Sequence, residues 1–410
     1  MNINPNEYKN QFKSPELNQI KEEVSENNQE PKNKIPLKNK VVFALIILGI
    51  AGLAWWSISE KDSRKGELIT IDPGIKQVSI NQGDVSPISG LACENWNRRP
   101  IAVMQPSDTS TRPLAGFFEA DMVVEMPVLT TSKTRLMGVY VCGNPEEIGS
   151  IRSARPDFVH LAKGLDAIFV HWGRAALGSF IENLNKGVID NMNCNGDAGQ
   201  SIAAHCFRKN DPSLSHLDSA YVNFNKILEV AKDLDYRMES NLEGYPHQEE
   251  LAEEERIEKG NLEIGYYHNK DQIVNYDYDK ASNSYIRYWG GVRDTDRNNG
   301  NLITPKNIVV LLASDNPAEE DPHYNNMQLG DPWYDSVDSG EAYYYMNGQE
   351  VRGRWNKDKS RMDSKLILTD SNGKDIEFVR GQIWINIVYP NMKLDWDAGI
   401  SYDEELTKTE

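Results

Sequence analysis

Basic residues are scarce in this chain of 410 residues, where 44 Lys and Arg stand against 62 Asp and Glu and leave a net charge of −18. A general nucleic-acid-binding protein needs a basic face for phosphate contacts, so this balance argues against that class. Hydrophobic residues make up 39% of the chain. That share lies below the usual range of about 45–50%, which indicates that part of the chain is not packed in a core.

Several signature motifs of enzymes are also missing. The sequence contains no GxxxxGKS/T, GxGxxG, HExxH, CxxC or GxSxG segment. Nucleotide hydrolysis and common zinc chemistry therefore lose support. We expect no metal and no cofactor, and the sequence assigns no catalytic residue.

One long apolar run, residues 41–58, reads VVFALIILGIAGLAWWSI. It is long enough to cross most of a hydrocarbon core of about 30 Å, although a buried core helix is the alternative. Lysines precede the run without an intervening acid, which favours a cytoplasmic N-terminus and an extracytoplasmic C-terminal part. The 40 residues before the run exceed an ordinary signal-peptide n-region, so we predict a retained, single-pass signal anchor in the cell membrane.

The overall pattern predicts a mixed α+β chain, with an N-terminal α/β domain followed by a β-rich C-terminal domain. Composition sets the segment boundaries, since polar and Gly/Pro-rich stretches alternate with apolar periodic ones. The predicted segments are a disordered cytoplasmic tail at 1–40, a transmembrane helix at 41–58, a linker at 59–96, the α/β domain at 97–240, an acidic helix or linker at 241–261, the β-rich domain at 262–392 and an acidic tail at 393–410.

Hydrophobic periodicity predicts the elements of both domains. In the first domain, strands are expected at 101–104, 122–128, 136–142 and 167–171, and helices at 156–164, at 175–184 and after Asp218 or Ser219. In the second, Asn347-Gly348 and Asn372-Gly373 indicate hairpin turns. Its expected strands are 273–278, 284–288, 307–312, 341–346, 365–369 and 382–388.

Two arginines, Arg152 and Arg155, come directly before the helix predicted from Pro156. A helix N-terminus offers free N–H groups and positive potential, and guanidinium groups bind phosphate or carboxylate with two parallel hydrogen bonds. An anionic ligand is therefore one prediction. The alternative is internal pairing of both arginines with carboxylates, for which the candidates are Asp121, Glu125 and Asp166.

Two histidines are further candidates. His171 ends a predicted strand, and ligands of α/β sheets bind at the carboxyl ends of strands. Its titration range also suits acid–base chemistry, although a buried, hydrogen-bonded histidine is the alternative. His216 lies near Arg208 in the sequence, and we name both as candidate ligand-binding residues with the same alternative.

The four cysteines allow complete pairing in three ways. A disulfide is the expected fate outside the cytosol, and the short loop favours Cys194 with Cys206. Buried free thiols remain an alternative. A nucleophilic Cys206 beside His205 is another, which a disulfide would remove.

A set of short motifs resembles the YerB-like lipoprotein family of bacteria, whose N-terminal and C-terminal domains are both classed as of unknown function. The similarity covers residues 97–240 and 262–390. In the first stretch the motifs are RPIAVM at 99–104, RP at 112–113, ADMVVE at 120–125, TRL at 134–136, RSARP at 152–156 and DAIFVH at 166–171. In the second they are TPKNIVV at 304–310, NG at 347–348, GRW at 353–355 and Trp384 after Gly381.

The chain departs from this family in two places. An apolar run stands where the family usually has a lipidated cysteine, which changes the anchor but not the side of the membrane. His216 is followed by Leu217 where the family tends to show Pro-His-Asn, which puts a role for His216 in doubt. The resemblance implies an architecture and supplies no reaction.

Three functions are consistent with these patterns. The first is a membrane-anchored protein that binds an anionic envelope component, such as a cell-wall polymer, or a protein partner. The second is an envelope hydrolase or transferase in which His171, Glu125 or Asp121 carries out acid–base chemistry. The third is a scaffold without a small ligand. Convergence of the candidate residues in one site would favour the first two.

Overall fold

The computed structural model describes residues 84–130, 133–266, 272–329 and 339–409. It is a mixed structure with 14% helix and 39% strand, and is therefore largely β. The predicted tail at 1–40, the apolar run at 41–58 and most of the predicted linker lie outside the described residues. Among the residues that are described, no helix is both long and apolar enough to cross a bilayer.

Twenty-two strands and four helices make up the described part of the chain. The strands are β1 (Ile101–Pro106), β2 (Met122–Leu129), β3 (Lys133–Tyr140), β4 (Glu147–Gly149), β5 (Ile168–His171), β6 (Asn191–Asn193), β7 (Cys206–Arg208), β8 (Ala220–Asn223), β9 (His247–Gln248), β10 (Asn261–Gly265), β11 (Ile273–Asp279), β12 (Ser284–Trp289), β13 (Val292–Arg293), β14 (Asn307–Leu312), β15 (Asp315–Pro317), β16 (Asn325–Met327), β17 (Ser339–Met346), β18 (Gln349–Asn356), β19 (Ile367–Asp370), β20 (Phe378–Val379), β21 (Ile383–Val388) and β22 (Lys393–Asp397). The helices are α1 (Pro156–Gly164), α2 (Gly178–Asn185), α3 (Phe224–Asp233) and α4 (Tyr402–Thr409).

A ten-stranded sheet in the order β19-β18-β17-β14-β21-β2-β3-β1-β5-β6 joins the two halves of the sequence. The junction is the parallel pair β2–β21, in which Met122 lies opposite Ile383. At one end of the sheet, β1, β5 and β6 run parallel. Their carboxyl ends therefore meet at one edge.

The ten-stranded sheet has a hydrophobic core on each face. Side chains alternate between the two faces of a strand, so Ala102 and Met104 pack in one core and Ile101 and Val103 in the other. Helices α1 and α2 cover the first face. Helix α3 and a five-stranded sheet, β13-β12-β11-β10-β22, cover the second. We call these the helix face and the second-sheet face.

Helix α1 confirms the prediction for 156–164. Pro156 occupies the first turn, where its missing N–H would have no intrahelical partner. Phe158, Val159 and Leu161 are buried on the helix face of the sheet. The backbone N–H of Leu165 closes the last turn on carbonyls of the helix. The helix therefore holds the preceding RSAR segment at a fixed position.

The helix predicted after Asp218 or Ser219 begins later than expected. Residues 220–223 form β8, which pairs with β4 on one side and β7 on the other. Helix α3 starts at Phe224, where the Asn223 side chain accepts a hydrogen bond from the N–H of Lys226. Apolar residues continue from the strand into the helix, so the sequence pattern does not show where β8 ends and α3 begins. Similarly, α2 begins at Gly178 rather than at Ala175.

Residues 84–96 pack against the fold and do not form the predicted linker. Ile88 is completely buried in the helix-face core. The hydroxyls of Ser86 and Ser89 both donate to the carboxylate of Asp121, and Cys93 is bonded to Cys142.

The C-terminal segment likewise forms regular structure where only an acidic tail is predicted. Strand β22 pairs with β10, and α4 follows it. The Asp277 carboxylate accepts hydrogen bonds from the Ser401 hydroxyl and the Tyr402 N–H at the start of α4. Between the two halves, the predicted acidic helix or linker contains the two-residue strand β9 and a short 3-10 helix at Glu253–Glu255, and Glu250 pairs with Lys306.

Candidate anion-binding site

The segment 150–155 crosses the carboxyl ends of β1 and β5. The Arg152 N–H donates to the Met104 carbonyl at 2.9 Å, and the Arg152 carbonyl accepts from the Trp172 N–H at 2.9 Å. The Ala154 N–H donates to the Gly173 carbonyl at 3.0 Å. These backbone bonds place the two predicted arginines at the edge of the sheet where ligands of such folds bind.

Arg152 is half-buried and its guanidinium is held at both ends. One Nη donates to the carboxylate of Asp218, and the other donates to the carbonyl of Leu217. The predicted alternative of internal pairing is therefore realised with a carboxylate that the sequence did not indicate. Asp166, one of the expected partners, pairs with Arg237 instead.

Arg155 is buried, with only 8% of the residue exposed. Its guanidinium lies 5.2 Å from the ring centroid of Tyr324, and its Nη1 donates to the Ala154 carbonyl at 2.9 Å. Its buried Nε has no hydrogen-bond partner within the described ranges. Burial lowers the pKa of Arg155 to about 10, because the cation is poorly solvated there.

Arg135 projects from β3 to the helix face of the sheet, on the same side as Met137. Its Nη1 lies 3.5 Å from a carboxylate oxygen of Asp108. Its buried Nε also lacks a hydrogen-bond partner in the described structure. Burial, with repulsion from Arg155 and Arg152, lowers the pKa of Arg135 to about 9.

Arg208 completes the group. Its guanidinium stacks 4.3 Å from the ring centroid of Trp172 and donates to the His216 carbonyl at 2.6 Å. Burial and the neighbouring charge of Arg152 lower its pKa. The structure thus uses the backbone of His216 to position Arg208.

These four residues, Arg135, Arg152, Arg155 and Arg208, form what we call the arginine cluster. Among the described residues, the carboxylates that contact it belong to Asp108 and Asp218. Asp108 is shared with Lys133, which pairs with it directly. Positive charge is therefore in local excess within a chain whose net charge is −18. Such an excess attracts an anion.

Asp121 takes part in a different arrangement. Its carboxylate accepts four hydrogen bonds, from the hydroxyls of Ser86 and Ser89 and from the backbone N–H groups of Val141 and Cys142. All four oxygen lone pairs of a carboxylate can be satisfied in this way. Asp121 fastens the 84–93 segment to the sheet.

Glu125 lies on the second-sheet face in a buried network of four charges. It accepts from the Thr134 hydroxyl at 2.7 Å and pairs with Arg287 at 2.8 Å. Arg287 and Arg112 both pair with Asp294. We call Glu125, Arg287, Asp294 and Arg112 the charge quartet. Burial raises the pKa of Glu125, while Arg287 opposes this shift. Alternation along β2 and β3 keeps Glu125 and Arg135 on opposite faces of the sheet.

His171 ends β5 and is completely buried. Its Nδ1 lies 2.7 Å from the carbonyl of Gly173, so Nδ1 carries the proton that it donates. Burial lowers its pKa. These contacts support a role in fixing the turn after β5.

All four cysteines are bonded in pairs, Cys93 with Cys142 and Cys194 with Cys206. The second bond is the predicted local pair, and it ties β7 to the end of β6 beside Arg208. The sulfur of Cys206 is therefore not a free thiol, which removes the alternative of a nucleophile. In the described structure, no group of three or more His, Cys, Asp or Glu residues could hold a metal ion.

Sequence reasoning missed Arg135, Asp108 and Asp218. Arg135 lies directly before the predicted strand at 136–142, and the structure starts that strand earlier, at Lys133. No sequence pattern indicated the two aspartates, since they lie in irregular segments that reach the cluster only through the fold.

Comparison with known proteins identifies the two halves of the chain. Residues 88–237 match the N-terminal domain, and residues 262–385 the C-terminal domain, of a family described as protein of unknown function (DUF3048). A protein of Bacillus subtilis (strain 168), named "Putative lipoprotein YerB", is 29% identical over 306 residues, which are 74% of this chain and 86% of that protein.

A solved structure agrees with this assignment. The crystal structure of the YerB protein from Bacillus subtilis matches with a TM-score of 0.63 and 26% identity, over 76% of this chain and 99% of that one. Both the sequence and the fold are thus similar to YerB, as the motifs at 99–171 predict. The chain belongs to the YerB-like family, which is built from the N-terminal and C-terminal domains of DUF3048.

Proposed function

We propose that this protein is held at the outer side of a bacterial cell membrane and binds an anionic component of the envelope through the arginine cluster. One observation carries the proposal: the Nε atoms of Arg135 and Arg155 are buried and have no hydrogen-bond partner among the described residues. The carboxylates that contact the cluster, those of Asp108 and Asp218, are fewer than its four arginines. Burying like charges together is unfavourable unless an opposite charge joins them. A bound phosphate or carboxylate would supply that charge.

Location outside the cytosol is supported by three independent features. Both disulfides favour an oxidising compartment. The apolar run at 41–58 has the length of a membrane anchor, preceded by lysines. The similar YerB protein is named a putative lipoprotein, which is also a membrane-associated class. Because Cys93 is bonded to Cys142, it is not available as a site for a lipid, and we propose residues 41–58 as the anchor.

The alternative of acid–base chemistry receives less support. Asp121 accepts four hydrogen bonds, Glu125 is paired with Arg287, and Nδ1 of the buried His171 is bonded to the Gly173 carbonyl. Asp121 and Glu125 therefore have internal roles, while Nε2 of His171 has no hydrogen-bond partner among the described residues. The scaffold alternative has no separate observation in its favour and is tested together with anion binding.

Thermal denaturation of the full chain in mild detergent tests the proposal. The probes are sodium polyphosphate and poly-glutamate as phosphate and carboxylate polyanions, with neutral polyethylene glycol as the control. A ligand of the folded state at about 100 times its Kd should raise the melting temperature by several degrees. The rise should disappear in folded Arg155→Gln and persist in Arg361→Gln, which changes an exposed arginine outside the cluster.

Two results would contradict anion binding at this site. One is the absence of a shift with either polyanion. The other is an equal shift in the parent chain and in Arg155→Gln, which would assign the effect to general screening of charge. A polyphosphate shift larger than the poly-glutamate shift would favour a phosphate-bearing polymer as the natural ligand.

A further inference from the structure

A cavity of about 300 Å³ lies beside the hairpin of β12 and β13. Its walls include Arg112, Pro113, Trp289, Val292 and Asp294. It shares no lining residue with the arginine cluster, so it is a separate feature. Its volume falls at the lower end of the range for small-molecule sites.

One edge of the Arg112 guanidinium makes no hydrogen bond with the described residues. Its Nη1 donates to Asp294, whereas its buried Nε and Nη2 have no hydrogen-bond partner among the described residues. The N–H groups of Nε and Nη2 project from the same edge of the planar guanidinium. That edge forms two parallel hydrogen bonds with a group that offers two coplanar oxygens.

Trp289 supplies another unused donor next to Arg112. The guanidinium carbon of Arg112 lies 4.5 Å from the centroid of the Trp289 ring, and the buried indole Nε1 of Trp289 has no acceptor in the described part of the chain. A buried donor without an acceptor is unfavourable, and such groups in native proteins call for an explanation. Val292, which is 69% exposed, adds an apolar wall to the cavity.

The surrounding charge limits what the cavity can hold. Within the charge quartet, Arg112 and Arg287 are balanced by Glu125 and Asp294. A doubly charged phosphate would meet the carboxylate of Asp294, which lines the cavity. A singly charged carboxylate adds less repulsion and still provides two coplanar oxygens. Burial lowers the pKa of Arg112, because the cation is poorly solvated there.

We propose that this cavity is a second binding site, which takes a carboxylate carried on an apolar body. The carboxylate binds the free edge of Arg112, and the Trp289 indole N–H donates to the same group. The apolar body lies against Val292. The ligand is either a small organic acid or the carboxyl end of a peptide, since both offer this chemistry.

Nuclear magnetic resonance of the full chain in detergent micelles tests the site, because the chain has nine tryptophans and Trp289→Phe identifies the signal of Trp289. The probes are benzoate, its neutral analogue benzamide, and acetyl-dialanine with a free carboxyl end. We expect benzoate or acetyl-dialanine to move the Trp289 indole N–H signal, and the acid that binds more tightly indicates the source. Benzamide should bind at least about tenfold more weakly than benzoate.

Two variants separate binding from folding. Trp289→Phe removes the indole donor and keeps an aromatic ring, and Arg112→Lys retains charge but loses the parallel N–H pair, so each should weaken acid binding about tenfold. Arg361→Lys, which changes a residue outside the cavity lining, should bind as the parent does. The site is disproved by equal binding of benzoate and benzamide, by an indole signal that no acid moves, or by unchanged affinity in folded Trp289→Phe. Because the arginine cluster shares no residue with the cavity, failure here leaves anion binding at the cluster unaffected.

Discussion

The charge quartet and the arginine cluster lie on opposite faces of the same sheet and use buried charge differently. In the quartet, each arginine meets a carboxylate, and Arg287 donates to both Asp294 and Glu125. In the cluster, Arg135 and Arg155 are equally removed from water, and their charges repel each other. The buried charges of the quartet compensate one another, whereas those of the cluster repel, and this difference is the basis of the anion site proposed above.

The largest expected effect comes from breaking the quartet. Arg287→Met leaves Glu125 buried without its partner and should lower the free energy of unfolding by about 3–5 kcal/mol. Denaturant titration of the parent and variant measures this difference. Arg361→Met, at an exposed position, should change it by less than about 0.5 kcal/mol. A loss below about 1 kcal/mol in Arg287→Met would show that the quartet is not a stabilising network.

A histidine sharpens the comparison because, unlike arginine, it can lose its charge. His160 in α1 is buried, and burial together with Lys357 and Lys359 lowers its pKa from 6.5 to about 4. Between about pH 6.5 and pH 4, His160 therefore binds a proton in the unfolded chain but not in the folded chain. Stability should fall by about 3 kcal/mol as the pH drops from 6.5 to 4.

The His160→Gln variant isolates this effect. Its free energy of unfolding, measured between pH 7 and pH 4, should lack the part of the decrease that His160 causes, while the decrease from other groups remains. Identical pH profiles of the parent and the variant would mean that His160 titrates normally in the folded protein.

The smallest effect, and the one with an unusual sign, is expected in the cluster. Arg135→Met removes a repelled, buried cation and should raise the free energy of unfolding by about 1 kcal/mol, while weakening polyanion binding. Arg99→Met provides the matched comparison, because Arg99 is equally buried but pairs with Asp190 at 2.5 Å. The free energy of unfolding of Arg99→Met should be about 2 kcal/mol lower than that of the parent. A loss of similar size in Arg135→Met would place Arg135 among the structural arginines.

Local signals account for what the sequence predicted well. Pro156 at a first helical turn and the apolar spacing of α1 are both readable within ten residues, and so is the Asn347-Gly348 turn between β17 and β18. The position of Arg152 and Arg155 before a helix followed directly. The close pair Cys194 and Cys206 was favoured for the same reason.

The features that the sequence could not predict depend on contacts between residues far apart in the chain. Glu125 and Arg287 are separated by 162 positions, and the register of β1 with β3 places Arg135 opposite Pro106. No local pattern reports either contact. The single sheet formed by both halves, through β2 and β21, depends on the same kind of pairing. As a result, the predicted site combined residues from both faces, and only the arginines came together.

The most direct test of the central claim is a crystal structure of the protein soaked in tungstate, a heavy analogue of phosphate that is located unambiguously by anomalous scattering. We expect an anion between Arg135 and Arg155, with its oxygens about 3 Å from the Nε atoms of both residues. Anion binding at the cluster is contradicted if both Nε atoms donate to protein carbonyls or to water and tungstate binds only elsewhere.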